Sequence, residues 1–272
     1  MKKLEILYLY LRKYIYEYVE TRKNKNRKWI EFAIWFNDEN IHRIRISKHW
    51  FIDSTFHRPK EFEQLLIIIY IDELSIEKIP GIFVLMNCKI QEIYENILMS
   101  ICNIITQNNT LDFNVKTITS DSEDSLVNAI KFVFPKVNRV GCYFHYKMDI
   151  IRNLRIYNLY NIFNSDEIVN KLGKLPLIYK GNMKIFDEFI NNLISENKPF
   201  INFINNYFLK NKRKYFLNED YNYSKYICTV RSNSYIEYYN KYVKNELGNK
   251  KIVNWVTFIK FLKNELERTN KN

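Results

Sequence analysis

The apolar run at residues 64–71, Q-L-L-I-I-I-Y-I, places the strongest constraint on the fold of this chain. An uninterrupted stretch of this length, rich in Ile, is typical of a strand that is buried on both faces of a sheet. Such a strand needs neighbours on both sides and further elements that cover both faces. We therefore expect a layered fold with this run inside the sheet.

The segments around this run predict alternating strands and helices. Strands are predicted at residues 48–56, 64–71 and 82–86, with a turn at Pro80-Gly81, and further strands at 115–119 and 139–144. Helices are predicted at 92–106, at 123–134 before Pro135, and from 146 to 153. The order βββαβαβα indicates an α/β fold of RNase H-like layout, with a mixed five-stranded sheet and helices on both faces.

The remaining segments predict four regions along the chain. Residues 1–47 contain a helical pattern at 4–19 and a basic stretch at 22–28, which is either a solvated linker or a patch that contacts a phosphate backbone. Residues 29–37 fit a strand or a helix equally well. Residues 48–155 form the first part of the core, and 156–226 form a helical insertion. Residues 227–272 supply helices at 235–247 and about 255–266 that complete the core.

Three carboxylates are placed where this fold could bring them together. Asp53 is predicted at the end of the first strand of the sheet, Asp121 follows the fourth strand, and Glu237 lies just inside a predicted helix. In an RNase H-like sheet the first strand is central and the fourth lies beside it. Three carboxylates that meet are what a phosphoryl-transfer site with two Mg²⁺ or Mn²⁺ ions, ~4 Å apart, requires.

Each of these carboxylates also has a purely structural interpretation. Asp53 could start a turn. Asp121 could be a helix N-cap, and Ser120 with Glu123 has the spacing of a capping box. Ser234 with Glu237 has the same spacing. Glu123 and Asp124 are expected in the first turn of their helix, where acidic residues suit the helix dipole.

Cys142 and His145 end the predicted fifth strand in the segment G-C-Y-F-H. C-x-x-H is half of a zinc site, and no second half with matching spacing is present. The alternatives are a buried Cys with a strand-end His, or a His145 that contacts a scissile phosphate or orients a carboxylate. The role of both residues stays open at this point.

The net charge of +12 over 272 residues favours a polyanionic partner, because Lys and Arg release counterions from phosphate backbones. A basic face that binds RNA or a membrane surface would give the same charge. The longest apolar run is far too short to span a bilayer. The four Cys without paired spacing and the lack of a secretory signal predict an intracellular protein with reduced thiols.

Seven motifs in order resemble the catalytic domain of Mutator-like element (MULE) transposases, a branch of the DDE transposases. The resemblance covers residues 45–160 and 225–245. The motifs are D-S-T-F (53–56), F-E-Q-L (62–65), P-G-I-F-V-L (80–85), S-D-S-E (120–123), A-I-K-F-V-F-P (129–135), G-C-Y-F-H (141–145) and R-S-N-S-Y-I-E (231–237).

The resemblance implies that Asp53, Asp121 and Glu237 are the DDE triad of a nuclear, metal-dependent DNA transposase. Its partners would be double-stranded DNA of the element ends and target, and a second copy in a homodimer. Basic residues would hold the DNA backbone: Arg22, Lys23, Lys210, Lys212, Arg213, Lys214 and Arg231. No Cys/His cluster like the upstream zinc module of many relatives precedes residue 48.

Two alternative functions stay open. One is a domesticated or decayed transposase that binds DNA or a protein partner without cutting. The other is an RNase H-like nuclease of a different substrate, such as an RNA–DNA hybrid or branched DNA, since a fold alone does not choose a substrate.

Overall fold

A computed structural model describes residues 18–23, 29–106, 114–160, 165–174, 183–196, 201–209 and 234–269. The chain divides into two compact units. The first combines Met1–Arg139 with Asn233–Asn272, and the second is Val140–Ser232. The predicted division of the chain into four regions stays a prediction.

The strands of the described residues form one large and one small sheet. They are β1 Tyr18–Lys23, β2 Trp29–Phe36, β3 His49–Thr55, β4 Arg58–Pro59, β5 Gln64–Ile71, β6 Lys78–Met86, β7 Thr117–Ser120, β8 Asn138–Gly141 and β9 Ile252–Val253. The large sheet has the order β1-β2-β6-β5-β3-β7-β8, and β4 pairs with β9 in the small one.

The large sheet is mixed, as predicted. Strand β3 pairs with β7 in parallel and with β5 antiparallel, and the pairs β5–β6, β6–β2 and β2–β1 are antiparallel. Strand β5 lies inside the sheet and only its last residue, Ile71, is not fully buried. The α/β class with a mixed sheet is therefore confirmed.

Helices of the described residues are nine in number. They are α1 Ile41–Ile46, α2 Gln91–Thr106, α3 Asp124–Val133, α4 Tyr143–Ile156, α5 Ser165–Lys174, α6 Met183–Glu196, α7 Ile201–Phe203, α8 Ser234–Glu246 and α9 Trp255–Arg268. A 3₁₀ turn, Asp38–Asn40, precedes α1, and a π-helical stretch, Ile204–Leu209, continues α7. Within the described chain, no helix is long and apolar enough to cross a membrane.

Helices of the first unit cover both faces of the large sheet, because alternate residues of each strand point to opposite sides. Trp50 and Ile52 of β3 join the core under α2 and α3. Phe51, between them, joins a second core under α8 and α9. Each large apolar side chain buried in this way contributes about 1.5–3 kcal/mol relative to leaving it exposed.

The prediction of five strands was wrong, since two more strands extend the sheet beyond β6. Residues 18–23 pair with β2 as a strand, where a helix end and a linker were predicted, and residues 29–37 prove to be mainly strand. Local spacing did not reveal this because strand formation at 18–23 depends on the partner strand. The rest of the predicted helix at 4–19 lies outside the described residues.

The predicted turn at Pro80-Gly81 was also wrong, because β6 runs through both residues. The register shifts between Ile68 and Ile69, so Ile68 faces Ile82 and Ile69 faces Pro80, which leaves Gly81 as the extra residue of a bulge. A side chain at Gly81 would place its Cβ 2.6 Å from Cε1 of Tyr70. Glycine is therefore required by the close approach of the Tyr70 ring.

In the second unit, the described elements after the end of β8 are helices. Its apolar core contains Tyr146, Ile150 and Leu154 of α4, with Leu172 of α5 and Phe203 at the end of α7. The Tyr146 hydroxyl donates to the carbonyl of Leu172 at 3.0 Å, which fastens α5 to α4. The helical patterns predicted within 156–226 are present where the structure describes that region.

Candidate active site

Asp53 lies within β3 and not at its end, where the sequence analysis placed it. The strand continues to Thr55, and Asp53 pairs with Ile67 of β5. Asp53 is only 6% exposed. Because Asp53 has the same parity as Phe51, it belongs to the face of the sheet that α8 and α9 cover. The interpretation of Asp53 as the start of a turn is therefore wrong.

Asp121 lies beside Asp53 in the strand register. The parallel pairing of β3 with β7 ends at Ile52 and Ser120, and the next residue of each chain segment is Asp53 and Asp121 respectively. Helix α3 begins at Asp124 with Glu123 as its N-cap residue. Asp121 is therefore not the N-cap, and its side chain accepts from the backbone N–H of Ser122 at 2.6 Å.

A buried arginine holds the backbone at Asp121. Arg139 of β8 is 4% exposed. Its Nη2 donates to the carbonyl of Asp121 at 2.6 Å and to that of Ser120 at 3.3 Å, and its Nε donates to the Ser120 hydroxyl at 3.2 Å. Several donors on one planar group fix both position and direction, so the segment that follows β7 is held rigidly.

Glu237 lies on the first turn of α8. A carboxylate oxygen of Glu237 and one of Asp53 lie within 4.8 Å of each other. The Nδ2 of Asn240, three residues later on the same side of the helix, donates to Oδ2 of Asp53 at 3.0 Å. Ser234 is already helical, so it is not the residue before the helix that a capping box requires.

A buried glutamate fastens α8 to α9. Glu265 of α9 is 1% exposed and accepts hydrogen bonds from the hydroxyls of Tyr239 and Tyr242, the latter at 2.8 Å. Nη2 of Arg268 contacts it at 2.8 Å. Burial and the charge of Glu265 raise the pKa of Tyr239, and they raise the pKa of Tyr242 to about 12. Both hydroxyls therefore stay donors, and the helix that carries Glu237 is fixed.

Asp53 is repelled by the other two carboxylates. Burial raises the pKa of Asp53 well above the ordinary value of 3.8, and the charges of Glu237 and then Asp121 raise it further, while the N–H of Ser54 opposes the shift. A cation would relieve this repulsion. The donors are hard carboxylate oxygens, which suit Mg²⁺ or Mn²⁺. The donor set therefore fits a divalent cation.

Three residues of this site were missed by the sequence analysis. Asn240 holds Asp53, Arg139 holds Asp121, and Tyr94 of α2 donates to Oε1 of Glu123 at 3.2 Å. The pKa of Glu123 is raised by burial, and the nearby charge of Asp121 contributes to the shift. Asn240 lies three residues after Glu237, so the sequence could have predicted that both side chains lie on one side of the helix. For Arg139 and Tyr94 the sequence gave no indication of a role at the site.

Two of the predicted DNA-binding residues lie on a distant strand of the large sheet. Arg22 and Lys23 lie on β1, which is separated from β3 by three strands, so about 19 Å of sheet lies between the two strands. Their predicted contact with the DNA backbone stays a prediction. The remaining predicted DNA-binding residues lie outside the described part of the chain: Lys210, Lys212, Arg213, Lys214 and Arg231.

Cys142 and His145 lie at the start of α4 and not at the end of a strand. Strand β8 ends at Gly141, the buried Cys142 is the N-cap residue, and His145 lies in the first turn of the helix. The His145 ring contacts the Phe144 ring edge-on, with 5.9 Å between ring centroids. Their predicted roles stay predictions.

The protein is of the mixed α/β class, and its strands β3 and β7 together with helix α8 bring three carboxylates together. Residues 49–149 match the family described as MULE transposase domain. The matched segment includes Asp53 and Asp121 and ends before Glu237. The resemblance that the motifs indicate is thus confirmed over these residues, and it relates the chain to transposases. No curated protein matches the chain.

Proposed function

We propose that this protein is a DDE-type DNA transposase that cuts phosphodiester bonds at element ends and joins them to target DNA. The observation that carries the proposal is the approach of Glu237 to Asp53 within 4.8 Å, beside Asp121 in the register of the next strand. Repulsion between carboxylates that lie this close together destabilises the fold. Their placement on rigid elements therefore favours a functional role over a structural one.

An RNase H-like core is part of this proposal. The strands β6-β5-β3-β7-β8 place the first strand of the predicted core in the centre and the fourth beside it in parallel. This is the arrangement from which the sequence analysis expected Asp53 and Asp121 to be neighbours. The strands β1 and β2 then extend the core at one side.

Asp53, Asp121 and Glu237 would hold two Mg²⁺ or Mn²⁺ ions. When bound, such ions polarise the phosphodiester and lower the pKa of water. The chain's own residues supply the placement: Asn240 and the N–H of Ser54 orient the Asp53 carboxylate, and Arg139 fixes the backbone of Asp121. Groups held in this way lose little entropy when the substrate binds.

The DNA reaction would take place in two steps. Water attacks the phosphodiester at the element end in line, and the bond to the departing 3′ oxygen breaks. The released 3′-OH then attacks a phosphodiester of the target in line, so that a new bond to phosphorus forms while the bond to the 3′ oxygen of the target strand breaks. The net charge of +12 supports a polyanionic substrate. A nuclear location and a homodimer that holds two element ends are proposed with it, on the basis of the resemblance to MULE transposases.

The test compares Glu237→Gln with Glu246→Gln. Both glutamates lie on α8, and Glu246 is exposed at the far end of the helix. We expect Glu237→Gln to abolish Mn²⁺-dependent cleavage of a duplex with element ends while duplex binding survives. Glu246→Gln should leave both unchanged. Full cleavage by Glu237→Gln would refute the role of Glu237 in the site.

The wild-type protein in the same assay distinguishes the alternatives. Binding without any cleavage would favour the domesticated or decayed form. A panel of duplex, RNA–DNA hybrid and branched DNA tests the other alternative, because preferred cleavage of the hybrid or branched substrate would replace transposition by another nuclease function.

A further inference from the structure

Glu123 occupies the N-cap position of α3 and yet does not cap the helix. Its side chain makes no hydrogen bond to the helix N-terminus. A capping side chain commonly stabilises a helix by about 1 kcal/mol, so its absence needs another reason. The Glu123 carboxylate instead accepts a hydrogen bond from the Tyr94 hydroxyl at 3.2 Å.

Tyr94 and a buried glutamine form a polar chain that ends on Glu123. Nε2 of Gln64, in β5, donates to the Tyr94 hydroxyl at 2.9 Å. Gln64 is 0% exposed, and Tyr94, which is 1% exposed, belongs to the core that α2 and α3 share. Buried polar groups are costly unless they are paired, so this chain fixes the position of Glu123 strongly.

The carboxylate held in this way lies in an acidic environment. Asp121 and Glu63 both act on Glu123 with like charge, and Lys89 acts on it with opposite charge. Between the end of β7 and the start of α3 there are only residues 121–123. Arg139 holds one end of this segment at Asp121, and Tyr94 holds the other at Glu123.

We propose that Glu123 is a positioning residue of the metal site, and that the Gln64–Tyr94–Glu123 chain sets the metal affinity of Asp121. The proposal rests on the proposed function, because it assumes that the three carboxylates hold divalent ions. Glu123 would act through the three-residue segment 121–123 that carries Asp121. Groups that hold metal ligands in place typically change metal affinity by 10–100-fold when they are removed. The negative charge of Glu123 adds to the attraction for the ions.

The experiment measures Mn²⁺ binding to the full chain without DNA, by the EPR signal of free Mn²⁺. Tyr94→Phe removes one hydroxyl and no charge, and Glu123→Gln removes one charge and keeps an acceptor oxygen. Two matched controls are available. Tyr70→Phe removes a buried hydroxyl of the same core, and Asp124→Asn removes the next carboxylate along the chain, which is exposed.

We expect Tyr94→Phe and Glu123→Gln each to raise the Kd for Mn²⁺ by about 10-fold or more. Both controls should stay within about 2-fold, far below that range. If Tyr94→Phe does not fold, Glu123→Gln alone decides the result. A Kd within 2-fold of wild type in Glu123→Gln, or an equal loss in Asp124→Asn, would overturn the proposal.

Asp53→Asn separates this proposal from the proposed function. If Asp53→Asn abolishes Mn²⁺ binding while Glu123→Gln and Tyr94→Phe bind normally, only the positioning role fails. If the wild-type protein itself binds no Mn²⁺, the metal site fails and the positioning role fails with it.

Discussion

Replacement of Asp53 by Asn should stabilise the metal-free protein, although it should destroy the proposed activity. The Asp53 carboxylate is buried, and a carboxylate oxygen of Glu237 lies within 4.8 Å of it. An amide has nearly the same shape and no charge. The substitution therefore removes the repulsion and keeps an acceptor for Asn240 or for the N–H of Ser54.

The expected gain follows from the distance between the carboxylates. Two unit charges 4.8 Å apart repel by about 3.5 kcal/mol at an effective dielectric constant of 20, and by less where water reaches Glu237. An amide can keep only one of the two hydrogen bonds that Asp53 accepts, a loss of about 1 kcal/mol. A net gain of roughly 2 kcal/mol corresponds to a rise in Tm of about 4–8 °C.

The pH dependence of the gain has a definite sign. The pKa of Asp53 is raised in the folded protein, so the contribution of this group to stability is complete below the ordinary pKa of 3.8. It is lost as the pH rises through the higher pKa of the folded state. The advantage of Asp53→Asn over wild type should therefore grow with pH across that interval and then stay constant.

Thermal unfolding in EDTA and in Mg²⁺ checks this prediction. In EDTA at neutral pH the variant should melt above wild type. With Mg²⁺ at about 100 times its Kd, wild type should gain about 2.7 kcal/mol and the variant far less, so that the order reverses. Asp124→Asn serves as the exposed control and should change little. A variant that melts below wild type in EDTA would refute the reasoning.

Three further substitutions test the elements that support the site. Glu265→Ala leaves the buried Tyr239 hydroxyl without its acceptor and should cost about 1–3 kcal/mol in urea unfolding. Glu267→Ala, at a side chain that is 41% exposed, should cost less than about 1 kcal/mol, and an equally small effect of Glu265→Ala would contradict the buried network. Gly81→Ala forces a Cβ against the Tyr70 ring and should cost about 1–3 kcal/mol in the same measurement, and an unchanged midpoint would contradict the bulge. Arg139→Lys retains the positive charge but loses the several hydrogen bonds to the backbone at Asp121. Hydrogen exchange of the Ser122 amide should therefore accelerate by about 10-fold, and an unchanged exchange rate would contradict this role of Arg139.

The sheet interior was predictable because its pattern is local. Residues 64–71 are apolar without a break, and the alternation of strands and helices after them fixes the order of the elements. Strand β1 was not predictable, because its charged sequence becomes a strand only beside β2. The predicted turn at Pro80-Gly81 was wrong for a related reason, because the same two residues also suit a β-bulge. The bulge is found because β6 pairs with β5, where the Tyr70 ring packs closely against Gly81.

The candidate site was predictable in part. Strand order alone made Asp53 and Asp121 neighbours, and the register of β3 with β7 agrees with this. The approach of Glu237 depends on how α8 docks on the sheet through Ile236, Tyr239 and the core below them, which no local pattern specifies. The contacts of Arg139 join residues far apart along the chain and were visible only in the fold.

The division of the first unit into two stretches of chain sets the order in which the site can form during translation. Asp53 and Asp121 leave the ribosome first, and Glu237 follows only after all of residues 140–232. Synthesis of that intervening stretch takes on the order of 10 s at typical elongation rates. For that interval one face of the sheet lacks α8 and α9, and the acidic group lacks its third member. A nascent or prematurely terminated chain therefore carries two of the carboxylates without the helix that completes them.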